Sequence, residues 1–270
     1  MWGRASSERG SERLADRRRN RRRVWLIAFF ILLLLLLSTT IYGLNQSEVR
    51  IAHVNIIGGD NTFSGLALSA MIGNYMGLIP RDSILFFPED RIRRDILASN
   101  SDIAAVSISR SSLTSISIKI DTRTPIARWC GLVPTTGVDE YCYIFDANGF
   151  IFAPAKSDIQ TINSFSLYSP LVDDTLEPLR ATLSYTDKLP AVFDFARQLS
   201  TLGSAVDKIV VHDGEVDDYL SSGTRVTYIL GNEQNAFTAL VSASESLDLS
   251  QGNIDYVDLR FDGKVYVKKK

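Results

Sequence analysis

Histidine and cysteine are scarce in this chain, two of each in 270 residues. His53 and His212 stand far apart. No Gly-x-Ser-x-Gly elbow, phosphate-cradling glycine loop or His-rich metal spacing surrounds either of them. That leaves little for nucleophilic, general-base or transition-metal chemistry, and no cofactor is implied. Carboxylates are plentiful, but Asp173-Asp174 and Asp217-Asp218 are immediate neighbours. Neighbours on a strand point to opposite faces, so neither pair makes an acid/base couple, and both read as solvated positions. Two thiols without a nearby histidine make a poor zinc site. Cys130 and Cys142 read instead as one disulfide in an oxidising compartment, with free thiols as the alternative.

Charge is missing altogether from Val24 to Ser47, and Val24 to Leu37 is almost wholly aliphatic or aromatic. A bilayer core of about 30 Å needs about 20 apolar residues in a helix, which residues 24–43 supply. Ahead of this run stand Arg17, Arg18, Arg19, Arg21, Arg22 and Arg23. Cations of that density stay on the cytoplasmic side, which places the C-terminal bulk outside the cytoplasm. The rival reading is a cleavable signal peptide. The apolar run is longer than an h-region, and Ser38-Thr39-Thr40 is a poor small-x-small cleavage site, so a retained single-pass anchor is expected.

Residues 1–23 carry nine arginines against Glu8, Glu12 and Asp16, whereas the remainder holds 20 basic and 28 acidic residues, a net charge of −8. The arginines read as a topology signal on a disordered cytoplasmic tail that also meets anionic lipid. An acidic exterior argues against nucleic acid as a partner.

The external part reads as α+β in two modules. From 49 to 122 the order is β-α-α-β-β. A strand over Val49–Ile57 precedes a helix capped by Thr62, ended by Gly77 and buried through Leu66, Leu68, Met71, Ile72 and Tyr75. A second helix opens at Pro88-Glu89-Asp90, and strands follow over 103–109 and around Ile116, Ile118 and Ile120. From 123 to 270 a mixed β domain with flanking helices is expected. It has a hairpin about Asp146-Ala147-Asn148-Gly149, a strand near 165–167 and a helix over 190–202. Strands over 205–211, 215–220 and 224–230, a helix over 236–247, and strands over 254–261 and 264–268 complete it.

Four stretches, taken in order, resemble the FtsQ/DivIB family of bacterial division proteins. Val54-x-Ile56-x-Gly58 is similar to that family's opening POTRA strand. Thr122-Arg123-Thr124-Pro125-Ile126-Ala127-Arg128-Trp129 is similar to its junction motif, with Thr122 where an acidic residue is usual. Phe145 to Phe152 is similar to its Asp-x-x-Gly-x-x-Phe hairpin, and Tyr256 to Gly263 to its Tyr-Val-Asp-Leu-Arg-aromatic stretch. The resemblance covers essentially the whole chain. It implies a POTRA domain over 49–122, a β domain over 123–270, and a non-enzymatic divisome scaffold in the cytoplasmic membrane at the septum. The implied partners are small coiled-coil division proteins of the FtsB/FtsL type (DivIC-like), together with other divisome components. The resemblance also implies docking on a C-terminal edge strand, which carried onto this sequence falls on Arg260, Phe261, Lys264, Val265, Tyr266 and Val267. An edge strand offers unpaired N–H and C=O groups to a partner strand, and Tyr266→Pro is the substitution expected to break it. Rival readings are a membrane-anchored cell-wall enzyme and a POTRA-bearing translocation component. The first lacks an evident acid/base cluster and the second lacks tandem repeats or barrel-length strand series.

Overall fold

A computed structural model of the chain describes residues 5–134, 141–156, 159–173, 175, 177–244 and 247–270, with the side chains of 5–19 left aside. Helix α1 (Ala5–Leu44) is continuous, so the arginine-rich stretch that composition reads as a disordered tail carries on the helix of the apolar run. Arg, Ala, Leu and Glu are good helix formers, and extending a formed helix costs little once it is nucleated. Its part Asn20–Leu44, 25 residues, is long and apolar enough to cross a membrane. At 1.5 Å per residue it spans about 37 Å. None of its most apolar window is buried inside the molecule, so no protein core accounts for that apolarity.

The chain divides into two compact units, 1–99 with 105–121, and 100–104 with 122–270. In the first, β1 (His53–Ile57), α2 (Thr62–Ala70), α3 (Glu89–Ser99), β4 (Ile103–Arg110) and β5 (Ser115–Thr122) follow in that order. A small hairpin, named with its strands β2 (Asn74–Tyr75) and β3 (Ile79–Pro80), stands between the two helices. The main sheet has the order β1-β5-β4, with β1 parallel to β5. Alternation of Ile116, Ile118 and Ile120 buries all three, and Ile92 and Ile96 of α3 are buried one turn apart.

Two expectations need correcting here. β1 starts at His53 rather than Val49, because Ser47–Val49 forms a 3₁₀ turn and Arg50 is held by Asp82 (Nη2 to Oδ2, 2.7 Å). Helix α2 stops at Ala70 instead of Gly77, and it buries Ala67 and Ala70 while Leu68 and Ile72 face outward. Periodicity read from the largest apolar residues misses this, because α2 packs against α3 and presents small residues on its buried side. Gly58, with φ +79°, has no room for a side chain: a Cβ there would lie 2.5 Å from the Ile120 carbonyl oxygen.

The second unit is built on a nine-stranded sheet. Its strands are β6 (Ala127–Trp129), β7 (Tyr143–Phe145), β8 (Ile151–Pro154), β9 (Ser166–Tyr168), β10 (Val206–His212), β11 (Glu215–Leu220), β12 (Arg225–Ile229), β13 (Ile254–Asp258) and β14 (Tyr266–Lys269). The spatial order is β14-β13-β12-β11-β10-β9-β6-β7-β8. Three-residue β9 runs parallel to both its neighbours, β6 and β10, and joins antiparallel β6–β7–β8 to antiparallel β10–β11–β12, beyond which β13 is again parallel to β12. Helices α4 (Leu189–Ser200) and α5 (Glu233–Ala243) pack together, α4 on β10 and α5 on β12. Beneath them Val192, Phe195, Leu199, Ile209, Val216, Val226, Tyr228 and Val257 form the core. The β7–β8 turn closes through Gly149 at φ +71°, which approaches Leu183 and Thr186 too closely for any side chain.

Cys130 and Cys142 are joined by a disulfide that closes a loop of sequence separation 12. The Cys130 amide donates to the Leu167 carbonyl (2.9 Å), so one end of the loop is fixed to β9. Replacing both cysteines by serine is expected to lower the stability of this unit by about 3 kcal/mol through loop-closure entropy. Chemical unfolding with and without reductant measures the loss. Mass mapping without reductant that found both thiols free would remove the cause.

Candidate docking edge

The two edges of the large sheet differ. Along β8, the Ile151 amide donates to Ala181 O (2.9 Å), its carbonyl accepts from Arg180 N (2.8 Å), and Phe152 O accepts from the Ser101 hydroxyl (2.6 Å). That edge is occupied. β14 closes the other end of the sheet and, among the described residues, pairs antiparallel with β13 alone. An edge of this kind is a template for another strand.

The phase of the ladder says which groups are open. Lys270 N–H donates to Asn253 O (3.0 Å), and the one irregularity lies in β13 between Ile254 and Tyr256, so β14 alternates without interruption. Alternation then turns the peptide groups of Tyr266 and Lys268 toward β13 and those of Val267 and Lys269 outward. Tyr266→Pro is therefore the wrong probe, since it would cut the sheet itself. Val267, in the middle of the strand, is a position whose N–H faces outward.

The six residues carried over from the family are brought to this corner, in different roles. Phe261 is 51% exposed, Tyr266 is 49% exposed, and their rings meet edge to face at 5.2 Å between centroids. Val267 is exposed on the strand, while Val265 packs against the core from just before it. The strand begins at Tyr266 and not at Lys264, because the Lys264 amide closes a turn onto Phe261 O (3.1 Å) with Gly263 at φ +65°. Lys264 and Phe261 line a shallow groove of about 620 Å³ with Ile229, Asn232, Asn235 and Asp262.

Arg260 is committed within the molecule. Its Nη2 meets Asp258 Oδ2 at 2.7 Å and its Nη1 meets Glu215 Oε2 at 3.0 Å. These bonds raise the Arg260 pKa further and hold the Asp258 carboxyl below the usual range. Its part is to fix the chain that carries Phe261. Asp255 is likewise lowered by its bond to Lys268 (2.8 Å), which ties the edge strand back to β13. The sequence reading named neither Glu215 nor Asp255, since each partner lies across the sheet, 45 and 13 residues away.

Asp217 and Asp218 do point to opposite faces, but neither is solvated. Both are buried on β11, an interior strand of the sheet with β10 and β12 on either side. Asp217 accepts from Thr227 Oγ1 (2.5 Å) and meets His212 Nε2 (3.1 Å) on one face. Asp218 is wholly buried on the other, opposite Val226 and Ile209. No group of three or more His, Cys, Asp or Glu side chains able to hold a metal occurs among the described residues. The edge offers backbone pairing beside an aromatic corner and a shallow groove, which is the equipment of strand addition. Neither a protein-family model nor a curated protein matches the chain.

Proposed function

We propose that this chain is a divisome scaffold of the FtsQ/DivIB type, held in the cytoplasmic membrane by α1. In this reading the first unit is a POTRA domain, the C-terminal bulk lies outside the cytoplasm, and the protein gathers division proteins at the septum without turnover. The four family-like stretches support the family. The observation that carries the function is the uncovered edge of β14 beside the exposed Phe261–Tyr266 pair. A small coiled-coil division protein of the FtsB/FtsL or DivIC type adds a strand there, with Phe261 as its anchor. Acidic partner side chains suit Lys264, though rim charges of this sort act more on association rate than on affinity.

The test is binding of the purified protein to peptides from such partners. Phe261→Ala is expected to weaken capture by roughly 1–3 kcal/mol as an interface anchor. Val267→Pro is expected to abolish capture, because it removes an outward donor while leaving the bonds to β13 in place. Circular dichroism controls for folding. A folded Val267→Pro protein that bound with full affinity would move the docking site elsewhere.

A further inference from the structure

The hairpin between α2 and α3 carries its apolar side chains outward. Met76 at its tip is 99% exposed and Leu78 is 57% exposed, with Ile72 and Tyr75 exposed on the approach. Met76 also holds a left-handed backbone (φ 49°), followed by Gly77 at φ 73°. A glycine or asparagine would meet that turn at lower cost, so local geometry does not account for a long apolar side chain there. Leu85 and Phe86 extend the exposed set on the segment whose Ile84 amide donates to Val49 O (2.9 Å).

The position of this patch supplies its occupant. The Asn45 side-chain amide donates to Leu78 O (3.4 Å), which ties the hairpin to the C-terminal end of α1. Leu44, next to it, is buried. Asn45 follows Tyr42, an exposed aromatic of the kind that marks the membrane–water boundary, by three residues. Three residues are about 4.5 Å along a helix, and the headgroup layer on each side is about 5–8 Å thick. The Leu78 backbone therefore lies at headgroup depth. Arg81 stands beside it, half-buried, with its guanidinium 5.1 Å from the Tyr75 ring. That is a cation suited to lipid phosphate.

We infer that the hairpin is a second membrane contact: Met76 and Leu78 dip into the bilayer surface next to the span, with Arg81 at the level of the phosphate layer. The occupant is the lipid of the leaflet where α1 emerges. The inference rests on reading Asn20–Leu44 as a membrane span, and the test separates the two.

The disulfide leaves no free cysteine among the described residues, so single cysteines accept an environment-sensitive fluorophore specifically. Full-length variants Met76→Cys, Asn61→Cys (exposed, past the far end of β1) and Leu32→Cys (within the span) are labelled and placed in nanodiscs of phosphatidylethanolamine and phosphatidylglycerol. Emission from position 76 is expected to shift to the blue and to be lost when lipids carry a quencher high on the acyl chain, while position 61 stays solvent-like. Position 32 is quenched from deep in the chain. Quenching at 32 without any at 76 overturns the hairpin contact and leaves the span. Absence of quenching at 32 overturns the span, and the hairpin contact with it.

Discussion

Arg123→Ala is expected to destabilise the second unit by about 3–5 kcal/mol, the cost of stranding a buried charge. The Arg123 guanidinium, half-buried, is ion-paired with Asp146, whose carboxylate is buried. It also donates from Nε to Ser101 O (3.0 Å) and lies 4.0 Å from the Phe150 ring. Asp146 in turn accepts the amides of Asn148 (2.9 Å) and Phe150 (3.0 Å), so the carboxylate builds the β7–β8 turn. Removing the arginine leaves that carboxylate buried without its counter-charge, in a setting that salt screens poorly. The buried indole of Trp129, which donates to Ser169 O (2.9 Å), reports unfolding of this unit. Urea unfolding followed by that signal should show the loss, and Arg123→Ala with Asp146→Asn should recover part of it. A loss under about 1 kcal/mol would put the pair in the class of surface ion pairs.

Asp218→Asn is expected to raise stability at neutral pH and to flatten its pH dependence. Both carboxyl oxygens of Asp218 and the hydroxyl of Tyr228 lack hydrogen-bond partners among the described residues. Burial pushes the Asp218 carboxyl well above the ordinary carboxylate range, and the charges of Asp217 and Glu233 push the same way. The approach of the Tyr228 hydroxyl, short of a hydrogen bond, pulls it back. With the folded pKa above the unfolded one, the folded state binds the extra proton. Stability from this group is then fully present below about pH 4 and is lost as pH rises toward the folded pKa. The variant's amide does not titrate, so the difference between variant and parent should grow from acid to neutral pH. Unfolding midpoints across that range measure it. A midpoint difference that stayed constant with pH would mean that the Asp218 carboxyl titrates alike in the folded and unfolded states, and would overturn the raised pKa.

The two results bear on how far the sequence could be read. Elements whose period and boundary coincide were legible, as in Ile116, Ile118 and Ile120, in the Asp146–Gly149 turn, and in the strand Glu215–Leu220. Local chemistry decides all three. The edge position of β14 was legible only through the family resemblance, because strand order depends on pairings such as Val226 with Val257 that no local pattern records. The same limit hid the meeting of Arg123 with Asp146. Each belongs to a family-like stretch, and only folding sets one against the other. At Asp218 the local reading pointed the wrong way. A doublet of acids between alternating residues looks water-facing until the layer packed on the sheet is known, and Asp218 shares its face with the core residues Val216 and Leu220.

The place of β9 has a mechanical consequence. The chain enters the second unit beside β6, and a partner held at β14 would pull from the opposite end of the run from β6 to β14. Any load between anchor and partner must then cross β13, β12, β11, β10 and β9 to reach β6, strand by strand through their hydrogen bonds. The β6–β9 step has only two paired positions, fewer than any of those others. It is also stitched by bonds outside the ladder. Asn163 Nδ2 donates to Ile126 O (3.1 Å), Arg128 Nη2 to Ser164 O (3.0 Å), and Trp129 Nε1 to Ser169 O. Backbone bonds such as Cys130 N–H to Leu167 O (2.9 Å) and Ser169 N–H to Gly131 O (3.0 Å) cross it as well, so the seam that is weakest by strand length is reinforced from both sides, and a load passing through it would be shared among these bonds.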